Sequence, residues 1–179
     1  MIGMWFDILN YVLLYAFLSA WGGCIMSYLW SNRSVTALKT PPLWLYYLLS
    51  FTWGLPINLA GGLVALVLRC KGYKPKKYGP NYCFELPVNF GLDLGIFFIA
   101  PINGTEHTKN HELGHSIQNV YYGPFGIGMV YIPSMVRFHY RNIMTKLGRP
   151  PKTFYDDAWF EGQASASGNL YMANKKQDD

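Results

Sequence analysis

The most informative stretch of the chain is NHELGHSIQ, residues 110–118, in which His111, Glu112 and His115 satisfy the pattern H-E-x-x-H. Residues four apart on a helix share a face, so both imidazoles can reach one Zn²⁺ at about 2.0 to 2.1 Å, with Glu112 projecting beside them. Zinc acidifies water and a neighbouring carboxylate can accept the proton. The pattern therefore predicts a helix with two metal ligands and Glu112 as general base.

A surface helix can also hold two histidines by accident, because a pattern with only three fixed positions occurs in unrelated helices. Two observations favour the zinc interpretation. The chain has only four histidines, of which the motif uses two, and Leu113 and Gly114 keep the surroundings of the motif compact.

A third ligand must come from elsewhere in the chain. The acidic residues after His115 are Asp156, Asp157, Glu161, Asp178 and Asp179. The metzincin pattern is excluded, because Gln118 and Tyr121 stand where it requires glycine and histidine. We expect Glu161 to be the ligand, with Asp157 in reserve, although an exposed helix carboxylate is the alternative for Glu161. Small residues in YDDAWFEGQASASG, residues 155–168, would let this helix approach the first.

The two motifs together resemble those of the membrane-embedded gluzincin metallopeptidases, including the CAAX prenyl endopeptidases and their bacterial heat-shock relatives. In those families a second helix carries E-x-x-A-D, whose Glu is the third ligand and whose Asp supports the first histidine. EGQAS matches from Glu161 to Ala164, and Ser165 replaces the Asp. The resemblance covers two short motifs. It implies a minimal enzyme of the bacterial inner membrane in which Ser165 and Asp157 support the ligands, Ser165 by accepting a hydrogen bond from His111.

Two uncharged windows precede the motifs, residues 8–30 and 43–68. Each is long enough to cross a bilayer, which requires about 20 apolar helical residues. A composition with 51% hydrophobic and 14% charged residues excludes a freely soluble domain, a coiled coil and a disordered chain. We expect two transmembrane helices, the second kinked at Pro56. Ser19, Gly23 and Ser27 put small residues on one face of the first, although this spacing is also common by chance.

The charge distribution predicts the orientation in the membrane. Five basic residues follow the second window: Arg69, Lys71, Lys74, Lys76 and Lys77. Only Arg33 and Lys39 lie between the windows. This bias places both termini and the active site on the cytoplasmic side. We attribute the net charge of +5 to contact with membrane lipid and not to nucleic acid.

The predicted fold is α+β in four parts. They are a transmembrane region over 1–68, a basic linker over 69–82, a zinc metallopeptidase domain over 83–172 and a flexible tail over 173–179. We expect the domain to contain a β-hairpin of residues 83–90 and 92–100, the HExxH helix, a re-entrant or surface segment over 120–136 covered by protein, and a ligand helix over 156–172. The exposed strand edge could pair with an extended peptide.

The sequence thus predicts a membrane-associated zinc metalloendopeptidase that cleaves a peptide or protein substrate near the bilayer surface. Candidate donors to the oxyanion are His107, Tyr121, Tyr122, His139, Arg141 and Tyr155, none singled out by spacing. One alternative is a non-catalytic zinc protein that binds a membrane partner or a second copy of itself. Another is a zinc hydrolase for a lipid or other amide. A fourth protein ligand such as His107, His139 or Asp157 would favour a structural zinc site. A coordination position left open would favour an enzyme.

Overall fold

A computed structural model describes residues 2–30 and 35–178 and shows an α+β fold, as predicted. In chain order the elements are α1 (Ile2–Trp30), α2 (Leu43–Phe51), α3 (Leu55–Cys70), β1 (Lys76–Tyr78), β2 (Asn81–Leu86), β3 (Leu92–Leu94), β4 (Phe97–Pro101), α4 (Glu106–Tyr122), α5 (Ile132–Lys146) and α6 (Trp159–Asp178). The core lies between α4, α2 and the sheet, where Leu113, Ile117 and Val120 pack against Tyr46 and Ile96.

Helix α1 contains the first apolar window. Its segment Ile8–Ile25 is largely exposed, and it is long and apolar enough to cross a membrane. A Cβ on Gly23 would lie 2.6 Å from the carbonyl oxygen of Phe125, so α1 meets the rest of the protein through close backbone contact at this small residue. The side chain of Ser19 lies outside the described part of the helix.

A second transmembrane helix over residues 43–68 is not supported, because this window forms two helices and not one. Helices α2 and α3 are bent by 88° relative to each other. The break lies before Pro56 and not at Pro56, where the kink was predicted. Pro56 stands in the first turn of α3, where a proline removes no needed hydrogen-bond donor. Asn58 stabilises the bend: its side chain donates to the carbonyls of Ser50 and Gly54 and accepts from the backbone N–H of Ile96.

The sheet has the order β1-β2-β4-β3. Strands β1 and β2 are antiparallel, as are β3 and β4, whereas β2 and β4 are parallel. The predicted hairpin of 83–90 with 92–100 is therefore wrong, because Gly95, at φ 78°, turns β3 back onto β4. The predicted linker over 69–82 contains β1 and the start of β2. Strand β3 forms one edge of the sheet.

The Gly/Pro-rich run over 120–136 is helical over most of its length. Helix α4 ends at Gly123, and a 3₁₀ turn (Gly123–Phe125) and a π-helical turn (Ile127–Tyr131) then lead into α5. The run packs against α1 so closely that a Cβ on Gly128 would collide with the carbonyl oxygen of Ala20. The irregular turns are partly covered by protein, as predicted: Gly123, Pro124, Gly128, Met129 and Val130 are buried, whereas Phe125 is exposed.

Helix α6 continues well past its predicted end at residue 172. The expected flexible tail is helical through Asp178, and Asp179 lies outside the described residues. Near this end Lys176 Nζ lies 3.4 Å from the Glu106 carboxylate, so the last turns of α6 are tied to the first turn of α4.

Candidate metal centre

Helices α4 and α6 meet backbone to backbone. A Cβ on Gly114 of α4 would collide with the carbonyl of Ala164, and one on Gly168 of α6 with the carbonyl of Asn110. The small residues of α6 make this approach possible. As a result, polar side chains from both helices enter one narrow, buried space.

Three of these side chains converge on a point. The Nε2 atoms of His111 and His115 are 3.1 Å apart, and Glu161 Oε2 lies 3.1 Å from each of them. All three residues are buried, and one ligand atom from each lies within 4.8 Å of the others, close enough to hold one metal ion. The structure thus brings Glu161 to both histidines across the 46 residues that separate it from His115.

The second carboxylate oxygen of Glu161 shows that the cluster fits a cation. Glu161 Oε1 is buried and has no hydrogen-bond partner. A buried, unpartnered polar atom costs about 1 to 3 kcal/mol, so such atoms are rare unless something else satisfies them. Two imidazole nitrogens and a carboxylate form a donor set that suits a divalent ion such as zinc, and the ion would also satisfy this oxygen.

The far side of each imidazole is held by a hydrogen bond. His111 Nδ1 lies 2.8 Å from Ser165 Oγ, which in turn donates to Asp156 at 2.8 Å. His115 Nδ1 lies 2.8 Å from Gln118 Oε1. Because Nε2 of Gln118 donates to the Phe160 carbonyl, its Oε1 accepts and His115 carries its proton on Nδ1. Both rings therefore direct Nε2 towards Glu161, the orientation that metal-binding histidines show.

Ser165 occupies the supporting position implied by the resemblance, but Asp157 does not. Asp157 accepts a hydrogen bond from the backbone N–H of Phe154 at 2.8 Å and is exposed. Residues 155–157 form a separate 3₁₀ turn before α6, so Asp157 does not share a helical face with Glu161. Its neighbour Asp156 is the acid linked to His111 through Ser165.

Glu112 lies beside the cluster and faces the edge of the sheet. Its carboxylate packs so tightly against Gly91 that a Cβ there would collide with it. The next buried acid, Asp93 on β3, accepts hydrogen bonds from Ser116 of α4 and, at 2.7 Å, from the Tyr131 hydroxyl. These contacts hold the edge strand beside the predicted general base.

The pocket holds three buried acids, Glu112, Asp93 and Glu161. Burial raises the pKa of Glu112 to about 8 and that of Asp93 to about 6. Burial opposes the charges on Glu161 and His115, but hydrogen bonds outweigh it: those with His111 and His115 lower the pKa of Glu161, and the one with Glu161 raises the pKa of His115 to about 9. Within the described ranges, no lysine or arginine pairs with any of these three acids. A divalent cation held by Glu161 would add positive charge beside these acids.

Tyr155 is the predicted oxyanion donor that lies nearest the cluster. Its ring centre is 6.1 Å from that of His111. Burial and then the charge of Glu161 raise the pKa of its hydroxyl, which therefore stays protonated. The guanidinium groups of Arg137 and Arg141 lie 5.7 and 5.8 Å from the Tyr155 ring centre. Arg141 donates to the Thr153 carbonyl at 2.8 Å, so it supports the loop and does not enter the cluster.

The other candidate donors and ligands point elsewhere. His107 is largely exposed and lies 3.6 Å from Asp156. His139 is exposed and packs against Phe138. Tyr121 donates to the Lys39 carbonyl, and Tyr122 to the side chain of Gln163. Over residues 2–30 and 35–178, the histidine and carboxylate donors of the cluster are His111, His115 and Glu161.

Two supporting residues were missed in the sequence. Gln118 stands three residues after His115, a spacing that puts both on one helix face, so the spacing could have identified it. Asp156 gives no such signal, because its position depends on the short turn that precedes α6.

Comparison with models of known protein families, with curated proteins and with solved structures finds no match to this chain. The resemblance to gluzincins thus rests on the two sequence motifs alone and stays a prediction. Function has to be argued from the site itself.

Proposed function

We propose that this protein is a membrane-associated, zinc-dependent metalloendopeptidase whose ion is held by His111, His115 and Glu161. The observation that carries the proposal is the convergence of these three donors, 3.1 Å from one another, with a buried oxygen of Glu161 left unpartnered. Glu112 directly follows His111 on α4 and lies beside the cluster, and a general base must lie this close to the proton that it accepts.

The roles of the remaining residues follow from their contacts. A bound zinc ion would polarise the substrate carbonyl and acidify a water molecule. Glu112 accepts the proton of the attacking water and passes it to the leaving amine. Ser165 and Gln118 fix the two imidazoles, and Tyr155 donates a hydrogen bond to the oxyanion that develops.

The edge strand favours a peptide over a lipid or another amide. Strand β3 lies at the end of the sheet and is held to α4 beside Glu112 through the contact of Asp93 with Ser116. Its outer backbone groups can pair with an extended peptide, which would then lie across the catalytic glutamate as an added strand.

The number of protein donors favours an enzyme over a structural zinc protein. Structural zinc sites are closed by four protein ligands, whereas catalytic sites keep one position open. His107, His139 and Asp157, which could have closed the site, do not belong to the cluster: His107 lies beside Asp156, His139 beside Phe138, and Asp157 accepts from the backbone of Phe154.

Helix α1 supports the membrane part of the proposal, since it alone among the described helices is long and apolar enough to span a bilayer without a bend. The cytoplasmic side follows from the basic residues over 69–77.

The decisive variant is Glu112→Gln. We expect it to bind zinc as the wild type does, because Glu112 is not a ligand, and to lose about 10²- to 10⁴-fold in kcat, because the base is gone. Both proteins would be purified in detergent and tested on a mixture of internally quenched fluorogenic peptides, with metal content measured in parallel.

Glu106→Gln is the matched control, since it makes the same change on an exposed residue of the same helix. It should keep full activity. Unchanged cleavage by Glu112→Gln would refute the assigned role, and cleavage by the wild type that persists after complete removal of zinc would refute metal dependence.

A further inference from the structure

Helix α5 carries an exposed apolar stripe that no other part of the described structure covers. Val136, Tyr140, Ile143 and Leu147 recur at intervals of three and four residues, which places them on one side of the helix axis. Their exposed fractions are 59%, 55%, 56% and 67%. No residue of α5 is fully buried, so the helix lies on the surface of the protein.

The segment that contains the stripe is strongly basic. Between residues 135 and 154 the charged residues are Arg137, Arg141, Lys146, Arg149 and Lys152, and none is acidic. These five charges equal the formal excess of +5 of the whole chain. An apolar stripe bordered by cations is typical of helices that lie in the plane of a membrane and bind anionic lipid.

We propose that α5 and the following residues up to Phe154 form a docking surface for a bilayer that contains anionic phospholipid. The stripe enters the boundary between headgroups and acyl chains, while Lys146, Arg149 and Lys152 contact the phosphates. Phe154, which is 79% exposed, marks the far end of the surface.

Two features favour a bilayer over a protein partner. The cations match the negative charge of a lipid surface. The surface also continues from the contact with α1: α1 packs against the segment 123–131, and that segment leads directly into α5. A helix able to cross the membrane and the docking helix are therefore joined by direct packing.

Docking would set the position of the metal centre. Arg137 on α5 donates to the carbonyls of Phe154 and Tyr155, at 2.6 and 3.1 Å, and Tyr155 borders the His111 side of the cluster. A bilayer that binds α5 would thus lie next to the wall of the site. The docking itself does not depend on the proposed peptidase activity.

A depth measurement tests this inference on the full chain. Ile143→Cys and Leu147→Cys would each be made in a Cys24→Ala, Cys70→Ser background. Cys83 can remain, because it is buried and burial raises its pKa to about 11. The proteins, labelled with an environment-sensitive fluorophore, would be reconstituted into phosphatidylcholine vesicles with or without phosphatidylglycerol. We expect blue-shifted emission and quenching by a nitroxide attached to the lipid when phosphatidylglycerol is present.

Asn142→Cys is the matched control, since Asn142 is exposed on α5 but lies outside the stripe. It should show neither effect. Lys146→Gln combined with Arg149→Gln should lower the ratio of docked to undocked helix about 30-fold, since each cation near the surface contributes to the attraction.

Equal quenching at all three positions would overturn the inference. So would a blue shift without quenching by the lipid nitroxide, which would mean that protein, such as a second copy, covers the stripe. Equal docking on phosphatidylcholine alone would overturn the preference for anionic lipid. Because the readout needs no turnover, none of these results would bear on the metallopeptidase proposal.

Discussion

The Ser165 hydroxyl lies between the His111 imidazole and the Asp156 carboxylate, 2.8 Å from each. It accepts a hydrogen bond from the His111 imidazole and donates one to Asp156, so the negative charge of Asp156 acts on the imidazole through the serine. A carboxylate in contact with an imidazole orients the ring and raises its basicity. Here a serine and an acid from the preceding turn together supply that support.

Ser165→Ala should therefore weaken zinc binding about 10- to 100-fold, because His111 would lose the partner that fixes its ring. The affinity can be measured by competition with a chromophoric chelator. Asp157→Asn should leave the affinity unchanged, since Asp157 contacts only the backbone of Phe154. Wild-type affinity in Ser165→Ala would contradict the role assigned to the hydroxyl.

Tyr155→Phe should keep its zinc and lose about 10²- to 10³-fold in kcat, as expected when one donor to an oxyanion is removed. Tyr121→Phe is the control, because the Tyr121 hydroxyl donates to the Lys39 carbonyl, away from the cluster. Peptide cleavage and metal content would be measured on both variants. An unchanged kcat in Tyr155→Phe would assign the oxyanion to another donor.

Among individual residues, the spacing along one helix was enough to predict part of the metal centre. His111, Glu112 and His115 follow from the period of a single helix, and Glu161 from the shortage of acidic residues downstream. Asp156 could not be found in this way, because its direction is set by the 3₁₀ turn before α6 and not by a helical period.

The close packing of α4 against α6 is what turns two short motifs into one cluster. Gly114 and Gly168 let the helices meet at their backbones, and the donor atoms of both then share one pocket. A side chain at either position would force the helices apart and lengthen the distances between Glu161 and the imidazoles.

Gly114→Ala should thus lower the free energy of unfolding by about 1 to 3 kcal/mol through overpacking, and weaken zinc binding as well. Thermal unfolding and the chelator competition would measure the two effects. Gly62→Ala, made in α3 where a Cβ meets nothing within 4 Å, should be neutral or stabilise by up to about 1 kcal/mol. Equal stability of Gly114→Ala and the wild type would contradict the close contact.

Element types were more predictable than their pairing. The HExxH helix, the ligand helix and the β-structure before them were predicted from apolar patterns and from Gly and Pro positions, whereas β1 and α5 were not predicted. The parallel pairing of β2 with β4 does not follow from these patterns, because β3 has only three residues and its return depends on one turn at Gly95. Likewise, Pro56 signals a break in the second window but not a bend of 88°.

At the scale of the whole molecule, helix α1, which is able to cross a membrane, contacts helix α6, which carries Glu161. The Trp159 indole donates to the backbone and side chain of Ser27 on α1, at 3.1 and 3.2 Å. Trp159 precedes Glu161 by two residues on α6. The position of the ligand helix is therefore tied to α1, which links the proposed chemistry to the bilayer. The distribution of basic residues predicts that the site lies on the cytoplasmic side of the membrane, and the packing of the helices carries no such information.

The central claim is that His111, His115 and Glu161 together hold one divalent ion. The most direct test is the metal content of freshly purified protein, measured by mass spectrometry for the wild type, Glu161→Gln and the control Glu106→Gln. We predict about one zinc per chain in the wild type and the control, and a large loss in Glu161→Gln. Wild-type protein without bound metal, or equal zinc in Glu161→Gln and the wild type, would contradict the claim.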